Sequence, residues 1–308
     1  MKSYGLTEEQ LKHYRENGFV VVPEMFDLDE LRAAENAIND LAQQAVNDPV
    51  NLAEVLELEP ELVGGKRVPR RIYNPFLAHE GFRSIATHEK LLGCIEDLVG
   101  PNIDCQHSKL NMKPAHVGSV VEWHQDLPFF PHTNDDLVST LVYLDEATQD
   151  NGCLQVMPRM HGSFLEHVDE DGYFTGMISQ QLDATPIPLE GQAGSVIFMH
   201  PLTPHGSLPN RSPNARRTLI FEFRASDSFP IYFGELTHRN EQTAVHVQGD
   251  QPRTARVGGP TPVMPLLRDS IASIYDLQER SKVKGAKRSK FAAENKEAKE
   301  EMLNHDKR

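Results

Sequence analysis

A chain of 308 residues, 39% of them hydrophobic, is long and apolar enough to bury a sizeable core, which excludes an intrinsically disordered protein. Its 31 Lys and Arg against 45 Asp and Glu leave a formal charge of −14, which excludes the basic surface that a nucleic-acid or anionic-membrane partner calls for. Three cysteines with no CxxC pair argue against a zinc knuckle or dithiol redox site and fit a reducing cytosol, no apolar run approaches ~20 residues, and the start is polar, so a cytoplasmic protein without a secretory leader is expected.

In chain order, Thr7 and Gln10 form a capping-box pattern that opens a helix, and Gly18 closes it. Phe19–Val22 reads as a short strand ended by Pro23. Asp27 or Asp29 caps a second helix through about Val46. A third runs from near Thr87 to Gly100-Pro101, with Leu91, Leu92, Ile95 and Leu98 as its core stripe. From residue 103 the texture changes to short strand-like runs broken by turn residues: Ile103–Met112, Val120–His124, Leu137–Leu144, Cys153–Met157, Ser195–Met199 and Arg217–Phe223. Helices ahead of strands give an α+β, mainly β architecture, with a sandwich or jelly roll favoured over a parallel sheet. Glu166–Thr185, acidic and glycine-containing, reads as a long surface loop and a candidate lid. Residues 1–280 are expected to form one domain, and 281–308, rich in Lys, Glu and Ala, a solvated helix or tail.

Successive strand residues face opposite ways, so His124-Gln125-Asp126 presents an imidazole and a carboxylate on one side. A second imidazole from elsewhere completes a facial triad, which leaves three cis positions of iron(II) open to a chelating co-substrate and O2. The triplet follows the apolar run Val120–Trp123, where a ligand is held rigidly. A second triplet, His167-Val-Asp169, lies in the acidic loop and reads as a solvated face. His205 is the best third ligand. His200, at the end of the preceding strand, reads as a histidine satisfied by hydrogen bonds.

Gly100-Pro-Asn-Ile103, Trp123-His-Gln-Asp-Leu127 with Phe130-Pro131, Asn151-Gly-Cys-Leu154 leading to Pro158 and His161-Gly162, and His200-Pro201 with His205-Gly-Ser207, Asn210 and Arg216 follow one another in an order that resembles the phytanoyl-CoA dioxygenase family. The resemblance runs from about residue 5 to 230. It implies a double-stranded β-helix, cupin-like and buttressed by the N-terminal helices. It also implies an enzyme that couples oxidative decarboxylation of 2-oxoglutarate, to succinate and CO2, to hydroxylation of an unactivated C–H bond in a small molecule. By position, His124, Asp126 and His205 resemble the iron ligands. Arg216 resembles the 2-oxoglutarate arginine, Ser207 a second co-substrate contact, and Lys109 and Arg71 side chains near it. Gln125, between two ligands, is grouped with the co-substrate contacts.

Arg217 shares a strand face with Leu219, Phe221 and Phe223, and Arg216 the opposite face with Thr218, Ile220 and Glu222. The co-substrate clamp is expected from Arg216, because the family's apolar face meets helices. Asp126 implies hydroxylation, since related halogenases carry a small residue there. The turn Pro158-Arg159-Met160-His161 departs from the family's Pro-Gly-Ser/Thr-His, and a bulky charged residue is expected to reshape the site's mouth. Arg67, Arg70 and Arg71 offer a grip for an anionic group of substrate or co-substrate, or a solvated turn. Phe129 and Phe130 line a pocket or a core, and Trp123 packs. The alternatives are a cupin-type metalloenzyme without 2-oxoglutarate and an inactive binding protein of the same fold.

Overall fold

Apolar side chains recur at every second position of Arg216–Ala225, and that period divides the protein into a helix side and a cavity side. The computed structural model describes residues 4–47, 56–59, 65, 68–116, 120–231, 242–264, 266–267 and 274–283. Its elements are α1 (Glu8–Asn17), β1 (Phe19–Val22), α2 (Leu28–Asn47), β2 (Leu56–Leu58), β3 (Pro69–Tyr73), α3 (Pro75–Ala78), α4 (Glu80–Ala86), α5 (Glu89–Val99), β4 (Ile103–Lys113), β5 (Val121–His124), β6 (Leu137–Tyr143), β7 (Leu154–Val156), β8 (Ile187–Pro188), β9 (Val196–Met199), β10 (His205–Ser207), β11 (Arg216–Ala225), β12 (Val245–Gln248) and α6 (Ile274–Val283).

The strands form two antiparallel sheets. The larger runs β1-β9-β6-β11-β4-β3-β2, with β12 also on β4, and the smaller runs β5-β10-β7-β8. This is the expected double-stranded β-helix. On the outer face of the large sheet, Leu219, Phe221 and Phe223 join Leu110, Val138, Val142 and Phe198 in one core with Leu31, Ala34, Phe82, Leu91 and Ile95 of the helices. Between the sheets, Phe19, Leu141, Tyr143, Val156, Ile197 and Ile220 form a second core that closes one end of the jelly roll. Each fully buried Leu, Ile or Phe contributes roughly 1.5–3 kcal/mol, so these layers fix the distance between the sheets more rigidly than any polar contact across them.

Local signals set the helix ends. Thr7 accepts from Gln10 N while Thr7 N donates to the Gln10 side chain, and Gly18 closes α1 at φ 82°. His88 caps α5, which starts at Glu89, two residues beyond the predicted start at Thr87. Among the described residues no helix is long and apolar enough to cross a membrane.

Several elements differ from the sequence reading. The arginine cluster before Ile72 is not wholly a turn: Arg70 and Arg71 lie in β3, paired through Arg71 with Asn111 of β4, while Arg67 falls outside the described residues. The short helices α3 and α4, the two-residue β8, and β10 and β12 carried no periodic signal long enough to register. Residues 166–185 form the expected loop, exposed at Glu166, Glu170, Asp171 and Gln180, but one side of it is packed inward. His167, Phe174, Thr175, Met177 and Ile178 are buried, because the segment folds back through Thr175 N to His167 O and Ile178 N to Trp123 O. The helix α6 begins ahead of the predicted tail, whose residues 284–308 lie outside the described ones.

Gly194, at φ 88°, is the point where the helical layer is tied to the sheet. Its N–H donates to Tyr143 O, its carbonyl accepts from Phe26 N, and a Cβ there would lie 1.9 Å from the Phe26 carbonyl oxygen. Gly194→Ala should therefore lower the unfolding free energy by about 2–4 kcal/mol in chemical denaturation. Gly258→Ala, where a Cβ meets nothing within 4 Å, should stay within about 0.5 kcal/mol of wild type. Equal effects at the two positions would contradict the packing described.

Candidate metal centre

The small sheet brings the two histidines together. In the β5–β10 ladder His205 stands opposite His124, and their ring centroids lie 4.0 Å apart. Asp126 follows β5 by two residues. Its N–H, with that of Leu127, donates to Pro201 O, which tethers the carboxylate to the turn that leads into β10. His124 Nε2 lies 3.7 Å from Asp126 Oδ1, and His205 Nε2 lies 3.7 Å from Asp126 Oδ2.

Both tautomers are set by backbone. His124 Nδ1 lies 2.8 Å from Glu122 O, and His205 Nδ1 lies 3.0 Å from Thr203 O. A carbonyl only accepts, so each Nδ1 carries the proton and each Nε2 turns a lone pair inward. Burial holds both imidazoles below their ordinary pKa, His124 well below, and each stays neutral at pH 7. Burial alone would raise the Asp126 carboxyl. The surrounding His205, Lys109 and His124 and the Ser139 hydroxyl outweigh it and keep Asp126 ionised. One ligand atom from each residue lies within 4.8 Å of the others. Three acceptor groups with no proton among them repel one another unless a cation stands between. Two neutral nitrogens with one carboxylate are the donor set of a facial-triad ferrous site, so the residues fit that ion.

A second layer holds the ligands. Ser139 Oγ donates to Asp126 Oδ2 at 2.9 Å and lies 2.5 Å from Glu222 Oε2. One hydroxyl proton cannot serve both carboxylates. Burial, then the Asp126 charge, push Glu222 up to about 7 against Lys109 and Ser139, so near neutral pH Glu222 is protonated in part, and in that form it donates to Ser139 while Ser139 donates to Asp126. Gln125 points away from the cavity. Its Nε2 donates to Ser163 O and Leu202 O, and its Oε1 accepts from Leu165 N. The expected co-substrate contact from Gln125 is thus corrected: with its amide spent on three backbone groups, it braces the loops behind the metal ligands. His167, read as solvated, is buried and accepts from Gln125 N at 3.0 Å.

A cavity of about 620 Å³, including the space open at its mouth, lies between the sheets and contains the triad. Ser207, Arg216, Lys109 and Arg71 also line it, with Lys113, Asn111, Thr218 and Glu222. Arg216 is 5% exposed; its Nη1 donates to Thr218 Oγ1 and its Nη2 to Gly152 O, both at 2.6 Å, while Nε has no acceptor. No carboxylate of the described residues lies within ion-pair distance of it. The Gly152 carbonyl is presented by a turn at φ 75°, ordered by Asn151, and a Cβ at Gly152 would lie 2.3 Å from Leu208 O. Asn210 orders the chain leading to Arg216 through Lys113 O, Asn214 O and Ser212 N. Arg217, on the other face, is bound by Asp145 and by Glu35 of α2.

Other residues fall outside the cavity. His200 Nδ1 accepts from Leu202 N and Nε2 faces Asp135 at 3.6 Å. Phe129, Phe130 and Trp123 are core. Arg159, exposed, adopts φ 62° in a turn whose N–H meets Asn17 O at the end of α1, and it is not among the residues that line the cavity. Sequence reasoning missed Asn111, Lys113, Ser139 and Glu222. Their alternation on β4, β6 and β11 was the available signal, since polar residues inside apolar strands mark the face that meets the cavity.

Comparison with known proteins agrees with this arrangement. The family model described as phytanoyl-CoA dioxygenase matches residues 14–218. A probable alpha-ketoglutarate-dependent hypophosphite dioxygenase of Stutzerimonas stutzeri is 31% identical over 231 residues, covering 72% of this chain and 80% of the relative. A methylphosphonate hydroxylase of Gimesia maris is 28% identical, covering 71% and 81%. Among solved structures, EctD from S. alaskensis with bound Fe superposes with a TM-score of 0.63 at 20% identity, over 85% of this chain and 90% of that one, which shows the shared fold.

His167 links the site to pH. Burial, with His205 adding, pulls it down to about 4 against the Leu165 carbonyl that favours its charge. The unfolded chain therefore binds a proton between pH 6.5 and 4 that the folded chain refuses, and stability falls as pH drops through that window. Gln in its place keeps an acceptor for Gln125 N without a titrating group. The unfolding free energy of His167→Gln relative to wild type should rise by up to about 3 kcal/mol between pH 6.5 and 4, measured by denaturant titration without added metal. A pH-independent difference would contradict a buried, neutral His167.

Proposed function

The chain belongs to the phytanoyl-CoA dioxygenase family, and we propose that it is an iron(II)- and 2-oxoglutarate-dependent dioxygenase that hydroxylates an unactivated C–H bond of a small, anionic substrate with release of succinate and CO2. The observation that carries this reading is a buried arginine without a carboxylate partner in the same cavity as a two-histidine, one-aspartate cluster. A metal triad alone suits many reactions. A cation stranded 5% exposed beside it calls for an anionic partner, because an uncompensated buried charge is costly.

In this reading His124, Asp126 and His205 hold the ferrous ion, which when bound supplies the activation of O2 and the oxidising power for C–H cleavage. The chain's own residues do the positioning. Arg216 grips the far carboxylate of 2-oxoglutarate, its Nη groups already oriented by Thr218 and Gly152, and Ser207 adds a hydroxyl beside it. Ser139, in contact with Glu222, donates to Asp126 and keeps it turned toward the ion. Leu141, Leu154, Met199 and Ile220 wall the cavity against water.

The relatives named for hypophosphite and methylphosphonate support a small anion as substrate. Arg71, Lys109 and Arg216 against Asp126 make the cavity wall net cationic, while burial pulls the Lys113 amine down and the Glu222 carboxyl up, and Glu57, opposite Arg71 in the β2–β3 ladder, offsets part of the charge. The carboxylate at position 126 supports hydroxylation over halogen transfer. Three buried cysteines outside any disulfide support a reducing, cytoplasmic setting.

With Fe(II) and 2-oxoglutarate the protein should release succinate in an O2-dependent manner. Arg216→Ala should raise the KM for 2-oxoglutarate by about 10- to 100-fold, the worth of a charge-assisted pair. Arg217→Ala should leave that KM unchanged and lower thermal stability instead. A reversed pattern would assign the clamp to Arg217, and wild-type KM in both variants would refute 2-oxoglutarate as co-substrate.

A further inference from the structure

The cavity has two cationic poles on different strands. Arg216 forms the first, on β11 opposite Lys113 of β4, whose amine burial pulls well below its ordinary pKa. Arg71 lies on β3, one pair further along β4, opposite Asn111. The strand β4 lies between β3 and β11, which sets the backbones that carry the two arginines roughly 10 Å apart at about 4.8 Å per strand. Arg71 is 5% exposed and no carboxylate of the described residues lies within ion-pair distance of it. Its guanidinium meets only Asn111 Oδ1, by Nε at 2.9 Å, and the Tyr73 hydroxyl, which leaves donors of its five N–H groups unspent. The nearby Glu57 is engaged by Arg70 and by the Tyr73 hydroxyl.

The roof over this pole comes from outside the region the family model matches. Tyr275, on α6, lies 5% exposed with its ring 4.6 Å from the Arg71 guanidinium carbon and 4.4 Å from that of Arg70. The aromatic face attracts both cations and holds Arg71 flat, as a cation–π contact does. With Ile274, Tyr275 also lines the cavity. The helix is latched to the strand of the metal ligands. Gln278 Oε1 accepts from Glu122 N at 3.1 Å, Gln278 Nε2 donates to Gly176 O at 2.7 Å, and Lys282 Nζ lies 2.7 Å from Glu122 Oε1. A guanidinium buried, oriented by stacking and left with open donors is built to receive a planar or tetrahedral oxyanion.

We infer that Arg71, held beneath Tyr275 of the C-terminal helix α6, is the binding point for the substrate's oxyanion group, and that α6 is the element that sets substrate specificity. This rests on the proposed function, in which the co-substrate's far carboxylate occupies Arg216. A single co-substrate supplies one such carboxylate, so Arg71, which the family resemblance sets near the co-substrate, is assigned to the substrate instead. Lys109, between the poles on β4 and 3.5 Å from Glu222, borders both.

The test is anaerobic titration of the full-length protein, loaded with Fe(II) and 2-oxoglutarate, with methylphosphonate, methanesulfonate, acetate and neutral ethanol. Binding is followed by the visible charge-transfer band and by calorimetry. At least one anion should bind saturably and shift the band, and which one does so identifies the oxyacid class; ethanol should not. Arg71→Gln should weaken that anion by about 10- to 100-fold while the band before its addition stays as in wild type. Tyr275→Phe, which keeps the ring, should bind within about twofold of wild type, and Tyr275→Ala should weaken binding without loss of the band. The inference is overturned if no anion binds, if Arg71→Gln binds the anion like wild type, or if Arg71→Gln abolishes the co-substrate band. Absence of the band in the wild-type protein would refute the proposed function instead, and calorimetry would still report whether anion binding depends on Arg71.

Discussion

Everything at this site depends on one constraint: three acceptor groups, two imidazole Nε2 atoms and a carboxylate, are packed within 4.8 Å of one another with no proton to share. That arrangement is unfavourable on its own. It persists because Nδ1 of each histidine is committed to a backbone carbonyl and because Asp126 is tethered by its own N–H to Pro201. The stability of the two surrounding cores supports the strain, and a divalent ion relieves it. The fold acts as a scaffold that prevents the three groups from relaxing apart.

The same logic extends outward in layers. Gln125 and His167 face away from the cavity, yet their hydrogen bonds to Ser163, Leu165 and Leu202 stop the ligand segment from rotating. On β11 the two-residue period separates two arginines by function. Arg217 is neutralised on the helix side by Asp145 and Glu35, and Arg216 is kept unneutralised on the cavity side. A neutralised arginine contributes to stability; an unneutralised buried one costs stability and is left to a ligand.

How much of this was legible beforehand followed the range of the interaction. His124 and Asp126 were readable as a pair because their geometry is local to one strand, while alternation set Arg216 and Arg217 on opposite faces and the family resemblance chose between them. The link to His205 crosses eighty residues, and its choice rested on the apolar run ahead of it and on motif order, since no single segment displays the contact. Arg71 and Tyr275, two hundred residues apart, carried no sequence sign of their contact. Gln125 was misassigned because adjacency in sequence means opposite faces on an extended chain. The burial of His167 was hidden by its acidic neighbours, of which Glu166, Asp169, Glu170 and Asp171 border solvent while the ring turns in.

The most direct test of the account is anaerobic calorimetric titration of the metal-free protein with Fe(II), beside His205→Ala. The account expects one ion per wild-type chain and a loss of affinity of at least about tenfold in the variant. Equal ferrous affinity in the two proteins, or no binding to the wild type, would contradict it.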